Sequence, residues 1–262
     1  MHSTTTLDPP ARPADERALP QLRLRGIIAV WAAAALPMGL LAWVVAPLLA
    51  DQLNGSGRLP RALIITLTAG LVWQFVLVLT LVAREQGTLR PSVLRDALWL
   101  RAPRAPRTGR RGGRLWLVVL PLIVALAAEE LVPGPAIPAG RDFAEFLDSH
   151  AGHALLAGSW GWFAIIGALL VFNTVLGEEL LFRGYLLPRM NGEFGRRDWM
   201  ANGVLFAVYH LHVPWVIPAA LLDTFILAYP SRRYRSALVG IAVHSAQTVV
   251  FLALTLSLVL KG

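Results

Sequence analysis

The chain has 262 residues, of which 56% are apolar and 15% charged, and its mean hydropathy of +0.57 exceeds that of typical water-soluble domains. The net charge is +8, but the arginines lie between apolar runs, so a membrane topology pattern explains them better than nucleic-acid binding. The absence of cysteine excludes disulfides, cysteine zinc sites and a thiol nucleophile.

The first 20 residues are polar and rich in proline, which predicts a disordered cytosolic tail. The apolar run 26–50 that follows is too long for the core of a cleaved signal peptide. It also lacks a polar cleavage region after it. We therefore predict a retained spanning helix at this position.

Spanning helices need about 20 mostly apolar residues. Seven such runs predict an all-α fold, a polytopic transmembrane helical bundle with about seven spanning helices. The third, fifth and sixth runs are short or interrupted by proline, which is typical of helices that bend or line a cavity. The seven runs are 26–50, 61–83, 114–130, 155–177, 199–213, 215–230 and 236–260.

Arginine-rich loops predict the orientation of the bundle. Segments 84–114, 183–197 and 231–235 are basic and should face the cytosol, whereas loop 131–153 should face the exterior. The N-terminus is then cytosolic and the C-terminus exterior. The predicted divisions are the tail 1–20, the N-terminal membrane region 21–130, the exterior loop 131–153 and the C-terminal membrane region 154–262.

The stretch "GEELLFRG" at 177–184 places three charges in an apolar helix. Ionisable groups at membrane depth are costly, so they indicate a functional site. Glu179 and Arg183 are four residues apart in the order that favours an ion pair. Glu178 lies about 100° away around the helix. We predict that Glu179 is paired and that Glu178 remains free to act as a general base.

Two histidines, His210 and His244, lie on separate predicted helices after the glutamates. His212 lies about 200° around the helix from His210, so those two need not face one site. The chain contains neither an HExxH zinc motif nor a GxSxG elbow. An activated water is therefore the predicted nucleophile. Imidazoles that stabilise the oxyanion and a metal that acidifies the water remain alternatives.

Three motifs resemble those of the CPBP intramembrane proteases, the family that includes CAAX-prenyl endopeptidases and bacteriocin-processing or self-immunity proteins. "EELLFR" (178–183) is similar to EExxxR, "FAVYH" (206–210) to FxxxH, and "HSAQT" (244–248) to the start of HxxxN. Their order and separation also fit. The resemblance covers roughly residues 155–255.

The resemblance implies a role for each matching residue. Glu178 would activate the water, and Glu179 and Arg183 would support it. His210 and His244 would stabilise the oxyanion or bind a divalent metal such as zinc. Thr248 stands where the fuller motif has asparagine, with Gln247 beside it, so this chain departs from the family at that amide donor.

The predicted function is intramembrane peptide hydrolysis in a polar cavity open to the cytosol, in an integral protein of the cytoplasmic membrane with its active site near the cytosolic face. The predicted partners are membrane lipids and a peptide or protein substrate, lipidated or not, and no nucleic acid. One alternative is a catalytically silent scaffold or bacteriocin self-immunity protein. Another is a proton-coupled transporter. An enzyme requires Glu178, His210 and His244 to converge, whereas a transporter requires a path to both faces.

Overall fold

The computed structural model describes residues 19–261, so most of the predicted tail 1–20 lies outside the described residues. Within the described part, 77% of the chain is helical and there are no strands. One isolated bridge pairs Arg104 with Arg111 in the basic loop. The predicted all-α fold is confirmed.

Four long helices and several short ones make up the described part of the chain. The α-helical elements are α1 (Leu24–Gln52), α2 (Arg58–Gln86), α3 (Pro91–Ala97), α4 (Val119–Ala127), α5 (Phe143–Asp148), α6 (His150–Leu156), α7 (Trp160–Arg189), α8 (Asn191–Phe194), α9 (Asp198–Tyr209), α10 (Ile217–Ala220), α11 (Tyr229–Tyr234) and α12 (Ala237–Val259). Short 3₁₀ turns occupy Gly113–Val118, Ala128–Leu131, Gly195–Arg197 and Pro214–Val216. π-helical turns occupy Leu41–Val45 in α1, Phe172–Gly177 and Leu180–Leu186 in α7, and Thr224–Ala228.

Several helix boundaries follow from local sequence. Gly87 ends α2 in the left-handed conformation, and its amide donates to the carbonyl of Ala83 at 2.9 Å. Asp142 caps α5 by accepting from two backbone amides. Ser149 caps α6 in the same way. Each cap satisfies amides that the first helical turn leaves unpaired.

Four helices, α1, α2, α7 and α12, are long and apolar enough to cross a membrane by length and composition. They coincide with the first, second, fourth and seventh predicted runs. The third run is divided between two 3₁₀ turns and the nine-residue helix α4. The count of about seven crossings therefore stays a prediction.

The fifth and sixth predicted runs form a short hairpin over residues 198–234. Its first helix, α9, has 12 residues, which span about 18 Å and fall short of the roughly 30 Å hydrocarbon core. The return limb packs closely, since any side chain on Gly203 would collide with Thr224. An ion pair between Asp198 and Arg232 joins the two ends of the hairpin. The hairpin thus begins and ends at the same end of the bundle.

The bundle has two chemically different ends. At the arginine-rich end, the amide of Leu22 donates to the carbonyl of Arg189 at 2.9 Å, and the amide of Arg104 donates to the carbonyl of Tyr234 at 2.9 Å. At the opposite end, the amide of Gly158 donates to the carbonyl of Val259 at 3.0 Å. Phe146 packs against Gly57 at the start of α2, whereas loop 84–114 follows the end of α2. Loops 84–114 and 131–153 therefore belong to opposite ends.

A buried ion pair connects α2 with α7 at the arginine-rich end. Arg189 is fully buried, and its Nε and Nη2 donate to the two carboxylate oxygens of Glu85 at 2.8 and 2.9 Å. Its Nη1 donates to the carbonyls of Ala97 and Tyr185 at 3.0 and 2.9 Å. Bidentate pairs of this kind are the strong ones. This pair fixes the ends of two candidate spans against each other.

Replacing Glu85 should therefore destabilise the fold. We expect Glu85→Gln to cost about 3–5 kcal/mol, because it leaves the buried guanidinium of Arg189 uncompensated. Chemical unfolding of the detergent-purified protein measures the loss. Arg95→Gln is the matched control, because its pair with Asp96 is exposed and should contribute about 1 kcal/mol or less. Equal, small losses in both variants would contradict this role of Glu85.

Candidate functional site

A cavity of about 500 Å³ lies among α7, α9, α12 and the turns that follow α4 and α9. This volume is within the range of ligand sites, about 300–1,000 Å³. Glu178, His210 and His244 all line it. The three motifs, which are far apart in sequence, therefore contribute side chains to one space.

Glu178 lies on α7 between two π-helical turns, Phe172–Gly177 and Leu180–Leu186. Such turns often occur at functional sites. Its side chain is buried, and Oε1 has no hydrogen-bond partner. The Tyr209 side chain lies beside Glu178, and its hydroxyl accepts a hydrogen bond from Nε2 of Gln74 at 2.6 Å. Glu178 thus contributes to the cavity wall a buried carboxyl group with one unpartnered oxygen.

Glu179 is fully buried and is not part of the cavity wall. Its Oε1 lies 3.1 Å from Nη1 of Arg183 and 3.3 Å from Nδ1 of His244. A side chain on Gly240 would collide with Oε2 of Glu179, so glycine is required for this approach of α7 and α12. The structure contains the Glu179–Arg183 pair that the spacing predicts.

Arg183 is fully buried behind Phe206, with its guanidinium carbon 3.9 Å from the ring centroid. Its distance to Glu179 is that of an ion pair, but the alignment is poor and none of its nitrogens makes a well-formed hydrogen bond. Cation–π contact with Phe206 offsets part of the desolvation. Arg183 therefore balances charge behind the cavity wall rather than inside the cavity.

The two motif histidines pack against the same aromatic ring. Phe206 contacts His210 and His244 edge-on, with centroid distances of 4.9 and 6.3 Å. Nδ1 of His210 lies 3.0 Å from the carbonyl of Phe206. A carbonyl only accepts, so this Nδ1 is the donor. Nδ1 of His244 faces Glu179. Each ring is thus left with Nε2 as its available nitrogen.

His212 also lines the cavity, stacked on His210 with a centroid distance of 5.5 Å. Sequence reasoning placed the two on different helical faces. That geometry does not apply here, because α9 ends at Tyr209 and the chain turns at His210. The end of the helix brings both imidazoles to the same space.

Thr248 lines the cavity at the position where the family pattern has asparagine. Its hydroxyl lies 2.6 Å from the Thr174 hydroxyl and 3.3 Å from the carbonyl of Leu170. It therefore connects α12 to α7. Two amide side chains, Asn173 and Gln247, also line the cavity.

Sequence reasoning missed Glu129 and Asp223, two carboxylates that line the same cavity. Neither belongs to a motif, and 93 positions separate them. Asp223 precedes the π-helical turn Thr224–Ala228. An acidic residue inside a predicted apolar run was the available signal.

A metal bound by His210 and His244 is one of the predictions from the sequence. Among residues 19–261, no group of three or more His, Asp or Glu side chains is arranged to hold a metal ion. Catalytic zinc sites use three protein ligands. The residues present therefore do not form the three-ligand set that a catalytic zinc ion requires.

Comparison with known proteins gives one match. Residues 160–250, about a third of the chain, match the family model described as "Type II CAAX prenyl endopeptidase Rce1-like". No curated protein and no solved structure gave a match. The matched segment contains all three motifs, and the family resemblance inferred from them is confirmed: residues 160–250 carry the sequence pattern of the Rce1-like type II CAAX prenyl endopeptidases.

Proposed function

We propose that this protein is a CAAX-type intramembrane endopeptidase that hydrolyses a peptide bond with water activated by Glu178. The supporting observation is that Glu178, His210 and His244 line one cavity. A transporter would need polar groups that reach both ends of the bundle. Among the described residues, the cavity lining includes none from the basic segments 84–114, 183–197 or 231–235, which favours an enzyme.

Glu178 has the properties of the general base. Its unpartnered Oε1 can take a proton from water as the water oxygen attacks the carbonyl carbon. The tetrahedral intermediate then collapses, the carbon–nitrogen bond breaks, and Glu178 returns the proton to the leaving amine. No other nucleophile is needed.

Each histidine can act in the cavity only through Nε2, because Nδ1 of each ring is already engaged. Nε2 donates only when the ring carries both protons. At His244 the positive charge of such a ring is balanced by Glu179, 3.3 Å away. His244 is therefore the oxyanion donor. Burial lowers the pKa of His210 to about 4, so its ring is neutral near pH 7 and its Nε2 accepts a hydrogen bond rather than donating one.

Glu179 and Arg183 act as positioning residues. Glu179 orients His244 by accepting from Nδ1, as the aspartate of a serine-protease triad orients its histidine. Arg183 offsets the charge of Glu179 within the helix core. Neither side chain lines the cavity.

The substrate class follows from the name of the matched family. CAAX prenyl endopeptidases are named for prenylated peptides, so a farnesylated peptide ending in a CaaX sequence is the first probe. Membrane lipids surround the apolar helices and are the second partner. A silent scaffold or self-immunity protein would keep the same geometry without turnover.

Glu178→Gln should abolish cleavage of a quenched fluorescent farnesylated CaaX peptide, because an amide cannot accept the proton from water. Detergent-purified protein and a melting curve provide the measurement. Glu145→Gln, an exposed control on α5, should retain full activity. Comparing newly formed peptide ends in membranes that contain wild type or Glu178→Gln identifies other substrates. Turnover by folded Glu178→Gln at the wild-type rate would assign the base elsewhere, with Glu179 tested next.

Strong chelators should leave the rate unchanged, because the side chains around the cavity do not form a metal-ligand set. The test is peptide cleavage after treatment with 1,10-phenanthroline or EDTA. Readdition of zinc after the chelator is the control. Loss of activity that zinc restores would contradict this assignment and return His210 and His244 to the role of metal ligands.

The position of the cavity bears on the side from which substrates arrive. Its lining includes Val132, Gly134, Ile137 and Phe143, from the segment predicted to be exterior. With the N-terminus cytosolic, this end of the cavity faces away from the cytosol. The proposed cavity therefore opens away from the cytosol, unlike the cavity predicted from the sequence.

Cysteine labelling tests this orientation, since the natural chain has no cysteine. We expect Ile137→Cys at the cavity and Arg107→Cys in the basic loop to react with a membrane-impermeant maleimide from opposite faces of oriented vesicles. Both positions are exposed. Labelling of both from one face would contradict the proposed orientation of the cavity.

A further inference from the structure

Three acidic side chains that belong to no motif line the cavity: Glu129, Glu130 and Asp223, here called the acidic patch. Glu129 and Glu130 lie on the 3₁₀ turn after α4, and Asp223 follows α10. These elements pack against each other. Mutual packing of separate segments thus brings three carboxyl groups to one place on the cavity wall.

Asp223 is the least expected member of the acidic patch. Its side chain is 5% exposed, yet Oδ1 has no hydrogen-bond partner. It lies beside Glu129, whose Oε1 also has no hydrogen-bond partner. Ionised carboxylates only accept hydrogen bonds. When both groups are ionised, their unpartnered buried oxygens are therefore satisfied only by a donor from outside the pair.

A nearby cation does not supply this donor. Among the described residues, the cavity lining contains no arginine or lysine. The charge of Arg183 reaches Asp223, but its guanidinium stacks behind Phe206 and pairs with Glu179. His212 is a second buried cavity side chain, and its Nδ1 is unpartnered. Among the described residues, the cavity lining thus offers several unpartnered polar atoms and no arginine or lysine to pair with them.

We propose that the acidic patch binds a cationic side chain of the substrate, arginine better than lysine, near the bond that Glu178-activated water attacks; this rests on the proposed function. A guanidinium presents several N–H groups in a plane and can pair with both Glu129 and Asp223. A lysine ammonium is a compact charge without that fork geometry. Bound arginine supplies the donors that the buried oxygens lack.

Matched peptides test the proposal directly. Farnesylated CaaX peptides that carry arginine at each position in turn are compared with peptides that carry citrulline, the neutral counterpart. At the position that reaches the acidic patch, the kcat/KM of wild type for the arginine peptide should be about 10- to 100-fold higher than for the citrulline peptide. This is the range expected of a charge-assisted hydrogen bond. Equal kcat/KM for both members of every pair would overturn the proposal.

Asp223→Asn should bring the arginine-to-citrulline ratio of kcat/KM close to one, because the amide lacks the charge. Glu145→Gln, in an exposed helix, should keep the wild-type ratio. If Asp223→Asn does not fold by its melting curve, Glu130→Gln at the exposed edge of the patch replaces it and should lower the ratio. An unchanged ratio in whichever of the two folds would overturn the proposal.

Ligand binding to the inactive variant Glu178→Gln tests the acidic patch independently of peptide hydrolysis. Acetyl-arginine amide should raise the melting temperature of Glu178→Gln more than acetyl-citrulline amide does, and Asp223→Asn should remove the difference. If arginine amide binds better but wild type cleaves no peptide, the cation site is supported and the proposed function is contradicted. If wild type cleaves arginine and citrulline peptides equally well, the proposed function is supported and the cation site is contradicted.

Discussion

The ion pair between Glu179 and Arg183 is the constraint on which the site depends. Charges inside an apolar bundle persist only when they compensate one another. Consecutive glutamates on a helix point about 100° apart, so one can face a buried cation while the other faces the cavity. Pairing of Glu179 thereby allows Glu178 to keep a free oxygen. The same glutamate also orients His244, so one carboxylate contacts both the guanidinium of Arg183 and the imidazole of His244.

Local patterns in the sequence predicted the parts of the structure that depend on local geometry. Apolar run length predicted α1, α2, α7 and α12, because a spanning helix satisfies its own backbone. Four-residue spacing predicted the Glu179–Arg183 pair. The family motifs predicted that Glu178, His210 and His244 share one site. Helical spacing could not predict this, because it relates only residues within one helix.

Features that depend on tertiary packing could not be predicted. Hydropathy counts apolar residues, not the point at which a helix ends, so it did not reveal that α9 has only 12 residues. His212 was assigned to another face because helical periodicity was extended beyond Tyr209, where α9 ends. Glu129 and Asp223 meet only through the packing of segments far apart in the chain. A single sequence contains no signal for that contact.

The departure from the family pattern at Thr248 has a structural counterpart. Its hydroxyl is engaged with Thr174 and the carbonyl of Leu170, so it joins two long helices rather than offering a donor to the cavity. Amide groups are nevertheless present there, on Asn173 and Gln247. The loss of asparagine at 248 therefore does not leave the cavity without amide donors. Thr248 is consequently weak support for a catalytically silent scaffold, and the arrangement of Glu178 and the two motif histidines carries more weight.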